Sequence, residues 1–384
     1  MNNSLQKMLL KKILYTSNKK KLRNQFILIS LIVMLLVLSQ IFVDSMSEGI
    51  ISRYALLGSG NIETSVSADI SSYDFVEQAD DVFVGNALAY GKENSQICIL
   101  KGVDDNYFTG IRESVITLEK TDVNSTLDNI YISKTLSDEL NINLGEKMVL
   151  VSDNGKSNIY PKLCFVKGIY DSGYKELDQY LIFSNKSLIS KIYGNNVNKH
   201  KEIILKNSIS TDNALSIMKD DGISALAWYE VEVSLYQNLL VSTQTLLMVF
   251  IAIALLSGFF ISSVASDLIG SSHKNIAIEK LLGLHSSKIR QVYFIAIELI
   301  TILSILTGIT LGVLLSYIFP IFLREISTQS IPSLSWYLLS FNIKIPVQKL
   351  LLIVFSLLGI SVVSVFLALR RTDKIEPFEL LYTE

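Results

Sequence analysis

The chain has 384 residues, 49% of them hydrophobic and 18% charged, and a formal net charge of −2. That is too apolar for an ordinary soluble domain and too polar for a chain built only of membrane spans. The near-neutral balance gives no basic field for nucleic acid, and the 2 cysteines and 3 scattered histidines exclude a disulfide framework, a cysteine-rich zinc site or a ligand pair at helical spacing.

In chain order, the segment Met1–Arg23 carries 7 Lys or Arg residues and no acid. Within it, Leu5, Met8, Leu9 and Ile13 share one helical face, and Lys7, Lys11 and Lys12 lie away from it. This pattern predicts a cytoplasmic helix lying in the membrane interface over 1–25, the alternative being an unstructured basic leader. A first span follows over 26–46. Its basic flank resembles a signal peptide, but no small-residue cleavage site follows, so it reads as a retained anchor.

Residues 47–238 predict a folded α+β domain. Strand-like runs cover Ser95–Gly102, Asn129–Ser133, Lys147–Ser152, Leu163–Ile169, Gln179–Phe183 and Glu202–Leu205. Helical runs cover Ser133–Leu140, Asn185–Tyr193 and Asp212–Lys219, and Trp228–Asn238 reads as a stalk rising to the next span. Cys98 and Cys164 lie in two strands that echo each other; they are either a disulfide pair or two buried thiols. The run NGKS at 154–157 lacks the upstream glycine of a phosphate-binding loop, with Leu150 in its place, and is a plain turn. The acid pairs Asp104–Asp105 and Asp220–Asp221 read as hydrated turn residues, and no catalytic constellation is present in the sequence.

Three further spans are predicted at 239–265, 291–323 and 348–369. Between them lie a loop at 266–290, a second loop at 324–347 and a tail at 370–384. Each span is long enough for the roughly 20 residues that a bilayer requires. Lys274, Lys280, Lys288 and Arg290 flank the first loop, and Arg370, Arg371 and Lys374 open the tail, which places both with the N-terminus in the cytoplasm. The fold class is therefore a membrane α-helical protein of four transmembrane helices, with an α+β extracytoplasmic domain inserted between the first and second spans. Glu298 lies within the third span, about two turns from the start of its apolar run, and either snorkels in a structural role or serves transport. Gly308 and Gly312 form a small-xxx-small pair for close helix packing.

The 266–290 loop is more structured than a connection needs. Ile278, Leu281 and Leu282 fall at the spacing of an apolar helical stripe, Gly283 stops the helix, and Ser286 or Ser287 is expected to cap the next. This short helix either rests on the membrane surface or docks in a groove of another protein.

The order of elements, with IAIEKLLGLHSSKIR at 276–290 and RRTDKIEPFELL at 370–381, resembles the FtsX-like, MacB-type permeases of ABC transporters. The segments NIYISKTLSDELNINLGEKMVLV at 129–151 and FVKGIYDSGYKELD at 165–178 are similar to the lipoprotein-releasing permeases LolC and LolE. Where LolC carries a protruding loop that recruits a periplasmic carrier, the matching interval here, Asp153–Lys162, is short. The resemblance implies an inner-membrane permease that extracts lipoproteins from the outer leaflet for transfer to the outer membrane. The alternative is mechanical transmission to an efflux or cell-wall-hydrolase partner. It implies no enzymatic activity and no cofactor in this chain, ATP and Mg being bound by a separate, LolD-like ATPase. A coupling helix of Asn275, Ile276, Ile278, Glu279, Lys280, Leu281, Leu282 and Gly283 would dock on that ATPase. Other implied partners are a second permease chain of LolC/LolE type, lipoprotein cargo, a LolA-like carrier and the lipid membrane. Leu36, Leu38, Phe42, Val43, Leu240, Leu247, Met248 and Ile251 are the residues that would line an acyl-chain cavity, unless they face lipid or neighbouring helices.

Overall fold

The computed structural model describes residues 19–123, 125–153, 159–194, 197–330 and 343–370. The interfacial helix expected near the N-terminus, the NGKS turn and the tail beyond Arg370 lie outside these residues. The described chain forms two compact units.

The first unit is helical. Helix α1 (Lys19–Arg53) carries the first span, and α7 (Val233–Ser271), α9 (Ser286–Ser330) and α10 (Val347–Leu369) carry the other three. Their apolar stripes meet in one core that includes Ile29, Val33 and Val37 of α1, Ala254, Ile261 and Ala265 of α7, Ala296, Ile297 and Ile305 of α9, and Ile353, Leu357 and Val365 of α10. In a bilayer the hydrophobic effect does not hold helices together, so close approach and polar bonds matter more. Both are present. A Cβ on Gly308 would stand 2.7 Å from the Ser30 carbonyl oxygen, and one on Gly312 would stand 2.8 Å from Val37 Cβ, so α9 and α1 meet where side chains are missing. Gln25 Nε2 donates to Thr301 Oγ1 at 3.3 Å, and Thr307 Oγ1 to Ser30 Oγ at 3.1 Å, across the same seam.

The second unit, whose main part is Met46–Leu239, holds the inserted α+β domain. Its strands are β1 (Ile62–Thr64), β2 (Val76–Tyr90), β3 (Ser95–Val103), β4 (Thr117–Lys120), β5 (Asp128–Ser133), β6 (Lys147–Asp153), β7 (Ile159–Asp171), β8 (Leu181–Asn185), β9 (Asn198–Leu205) and β10 (Ala225–Ala227). They form one mixed sheet in the order β10-β1-β9-β2-β3-β8-β5-β7-β4, with β6 bridging β2 and β7. The β3–β8 and β5–β7 pairs are parallel and the others antiparallel.

Strand alternation gives the sheet two buried faces. Cys98 and Leu100 of β3, Met148 and Leu150 of β6 and Cys164 and Val166 of β7 pack under α2 (Lys134–Leu140) and α4 (Lys186–Tyr193). Val82, Val103, Tyr170 and Phe183 point to the other face, where they meet Tyr54, Leu56, Leu57, Tyr107 and Phe108. Helix α5 (Thr211–Asp220) covers the β1–β9–β10 end through Ala214, Leu215 and Met218. Helix α2 starts as its sequence dictates, with Ser133 Oγ accepting from the Leu136 N–H at 3.0 Å. The short helices α3 (Lys175–Asp178) and α6 (Trp228–Val231) complete the domain, and α6 leads directly into α7.

The strands and helices expected from sequence are present with shifted ends, the 179–183 run being displaced to Leu181–Asn185. The long strand β2 was not expected. Its EQADD run, 77–81, breaks the apolar alternation that marks a strand. The disulfide reading is corrected: Cys98 and Cys164 are free, buried thiols, on strands separated in the sheet order by β8 and β5. Burial pushes each thiol up to about 12.

Candidate coupling surface and buried joint

Helix α8 (His273–Leu281) follows α7 after the single residue Ser272, whose carbonyl accepts from the Ile276 N–H at 2.9 Å. Its end is a Schellman motif: Gly283 has φ +86°, its N–H bonds Lys280 O at 3.0 Å, and the Leu284 N–H bonds Glu279 O at 3.1 Å. A side chain at Gly283 would be strained at that φ. Helix α9 then begins, but neither serine caps it. His285 does, its Nδ1 accepting from the Ser287 N–H at 3.3 Å. The ring also lies 2.8 Å from Ser287 Oγ. The imidazole reaches the position that a serine oxygen was expected to hold.

The two faces of α8 are sharply different. Ile276 and Ala277 are fully buried and belong to the helical core of the membrane unit. Ile278, Leu281 and Leu282 are 50%, 63% and 77% exposed. Of the residues expected on a docking face, Ile276 therefore anchors the helix from behind. Asn275, Glu279 and Lys280 are half-buried, and Gly283 is exposed at the end.

The residues expected to line an acyl cavity are not brought together within one chain. Leu36 is buried and Leu38, Phe42 and Val43 are half-buried on α1, whereas Leu240, Leu247, Met248 and Ile251 are exposed on α7. Glu298 is buried, and Ser361 Oγ of α10 donates to its Oε1 at 2.8 Å, which holds the carboxyl between two helices. It lies on an open apolar groove of about 630 Å³ along α9, together with Phe294, Ile295, Leu299, Ile302 and Leu303.

A cluster that the sequence reading missed lies in the inserted domain. The chain continues from α1 into a π-helical turn, Tyr54–Gly58. Around this turn Lys101 of β3, Arg112 of the 3₁₀ turn Gly110–Ser114, and Glu202 of β9 are buried, and Asp80 of β2 is nearly so. Lys101 Nζ lies 2.6 Å from Glu202 Oε1, and Arg112 Nη1 lies 2.6 Å from Asp80 Oδ2. The Arg112 guanidinium also stacks 3.7 Å from the Tyr107 ring centroid. Burial acts to raise the Glu202 carboxyl, but Lys101 and His200 outweigh it and hold the group below the ordinary range. The acid pairs take other roles: Asp104 bonds Lys186 and Asp221 accepts from Tyr73. No group of acids, histidines and cysteines among the described residues forms a metal site.

Fold and surfaces define a four-span membrane protein with a large domain inserted after the first span. Residues 247–377, which take in most of α7 and all of α8, α9 and α10, match the family described as FtsX-like permease C-terminal. Solved structures similar to it include the periplasmic region of MacB from Actinobacillus actinomycetemcomitans, at 10% identity and a TM-score of 0.31, covering 48% of this chain and 95% of that one. Another is the extracellular domain of the noncanonic ABC-type transporter YknZ from Gram-positive bacteria, at 15% identity and a TM-score of 0.26, covering 41% of this chain and 83% of that one. No curated protein sequence matches the chain.

Proposed function

We propose that the chain is the permease subunit of an ABC transporter whose ATPase is a separate chain docking on α8, and that it passes the ATP-driven stroke to the inserted domain. The observation that carries this reading is the exposed trio Ile278, Leu281 and Leu282 on a helix whose opposite face is sunk in the membrane core. A helix laid in a groove contributes an apolar stripe of this kind. Its buried back lets a push on the helix reach α7 and α9 without being absorbed locally. ATP and Mg would be held by the ATPase. The basic flanks of the spans favour an inner-membrane protein with both termini and α8 in the cytoplasm and the domain outside. The inserted domain would then act on an extracytoplasmic partner, an efflux component or a wall hydrolase.

Lipoprotein release is the second reading. It is favoured by the exposed face of α7, where Leu240, Leu247, Met248 and Ile251 offer apolar side chains that a second permease copy and an acyl chain would cover. Moving an acyl chain out of the bilayer costs about 0.8 kcal/mol per CH₂, a reason for both ATP and an apolar shelter. The strands β6 and β7 pair as far as Asp153–Ile159, which leaves only the interval 154–158 between them, so a LolA-like carrier would need another recruiting surface.

The test is a mild-detergent pull-down of the tagged protein from its own membranes. An ATPase together with an efflux component or wall hydrolase supports the mechanical reading. An ATPase with a second permease and acylated lipoproteins supports release. No ATPase, under conditions where a control ABC complex survives, refutes docking on α8.

A further inference from the structure

The turn Tyr54–Gly58 ends the helix that also forms the first span, and it ends it in an unusual way. The Ser59 N–H reaches back five residues to Tyr54 O at 3.0 Å, a π-helical closure. Such turns are rare and recur at functional positions. The last carbonyls of any helix lack helical partners. Here three successive ones are taken by side chains of the domain. Arg112 Nε donates to Leu56 O at 2.6 Å, and Lys101 Nζ donates to Leu57 O at 2.6 Å and to Gly58 O at 2.8 Å. Tyr107 Oη bridges Leu56 O at 3.4 Å and Glu202 Oε2 at 3.2 Å. The cations also face the negative end of the helix dipole.

Apolar packing alone would suffice to bury this helix end. Ile50, Tyr54, Leu56 and Leu57 are all buried in the domain core. Such contacts are non-directional and tolerate a helix that rotates or slides. A buried ion cluster adds little net stability, since desolvation offsets most of the attraction, but its bonds are directional. Two cations on three consecutive carbonyls, each anchored by a carboxylate from a different strand, specify one rotation and one axial register.

We propose that Lys101, Arg112, Asp80 and Glu202 form a lock that fixes the rotation and register of the outer end of α1, so that this helix end and the sheet move as one body. Under the mechanical reading it is where motion of the first span enters the domain. The lock itself rests on the domain's own geometry.

The test is hydrogen exchange of the full-length protein in detergent, read by mass spectrometry, which needs neither nucleotide nor a partner chain and so is separate from the pull-down. Lys101→Met/Glu202→Gln removes the central pair without stranding either charge. Arg112→Lys keeps the charge but not the forked geometry. The expected result is exchange at 54–60 faster by about tenfold or more in the double variant, and by less in Arg112→Lys, with β2, β3 and β9 unchanged. Acceleration spread evenly over the sheet would make the cluster an ordinary part of the core and overturn the lock. Unchanged exchange at 54–60 would overturn it equally.

Discussion

Truncating the exposed face of α8 should weaken ATPase binding without weakening the fold. Leu281 and Leu282 are 63% and 77% exposed, so their side chains contribute little to the core of the chain itself. Full burial of a leucine is worth about 1.5–3 kcal/mol. Scaled by the exposed fractions, covering both in a groove yields about 2–4 kcal/mol, and Leu281→Ala/Leu282→Ala should raise Kd by roughly 30- to 1,000-fold. Leu282→Asp should cost more, because a carboxylate would have to be desolvated in the groove. Thermal melting of each variant in detergent should match the parent. Ile276→Ala is the internal contrast. Ile276 is fully buried in the membrane core, so its truncation should lower melting by an amount equivalent to about 2–5 kcal/mol. The assay is titration of purified permease with its copurifying ATPase, paired with melting curves. Unchanged binding in the double alanine variant refutes α8 as the docking helix. Lower melting in that variant refutes the claim that this face is free of structural duty.

Three other outcomes follow from the geometry. Gly308→Val and Gly312→Val should each drive α9 from α1, costing about 1–3 kcal/mol by overpacking, seen as lower melting than in the corresponding alanine variants. Cys98 and Cys164, pushed up to about 12 by burial, should resist maleimide at pH 8 in the folded protein, and both should react in denaturant; a shift in mobility on a non-reducing gel would contradict two free thiols. Asp178, buried and accepting from Ser172 Oγ at 2.7 Å, is raised by that burial to about 7. The folded state therefore keeps a proton that the unfolded chain releases near pH ~3.9. Stability should fall as pH rises from about 4 to 7, and Asp178→Asn should flatten that slope in melts taken across this range.

The membrane unit was legible because its signal is long and local. Runs of apolar residues at Phe26–Val43 or Leu350–Leu369 need no knowledge of their neighbours to be read as spans, and the leucine-glycine stop is written into two adjacent residues, Leu282 and Gly283. The α9 cap was not legible, because serine and histidine can both accept at that position and only the backbone path decides between them. Likewise, Ile276 and Ile278 look equivalent in sequence. One is buried and the other half exposed, because neighbouring residues on a helix stand about 100° apart and the partner helices cover only one side.

Lys101 shows where reading by pattern fails and what would repair it. The run CILKG, 98–102, reads as an apolar strand with a solvated lysine near its end. Yet in a strand with two buried faces, Lys101 shares a side with Ile99 and Val103, opposite Cys98 and Leu100, so a lysine there points into a core and demands a carboxylate. Glu202, at the start of the apolar run EIIL, makes the same demand from another strand. Two unlike charges, each at an inward position of an apolar strand, are a pairing signal across more than 100 residues of sequence. The pair alone would have placed β3 near β9. It could not have foretold the third participant, the carbonyls of Leu57 and Gly58, because backbone oxygens leave no mark in a sequence until the helix that ends there has been seen to end.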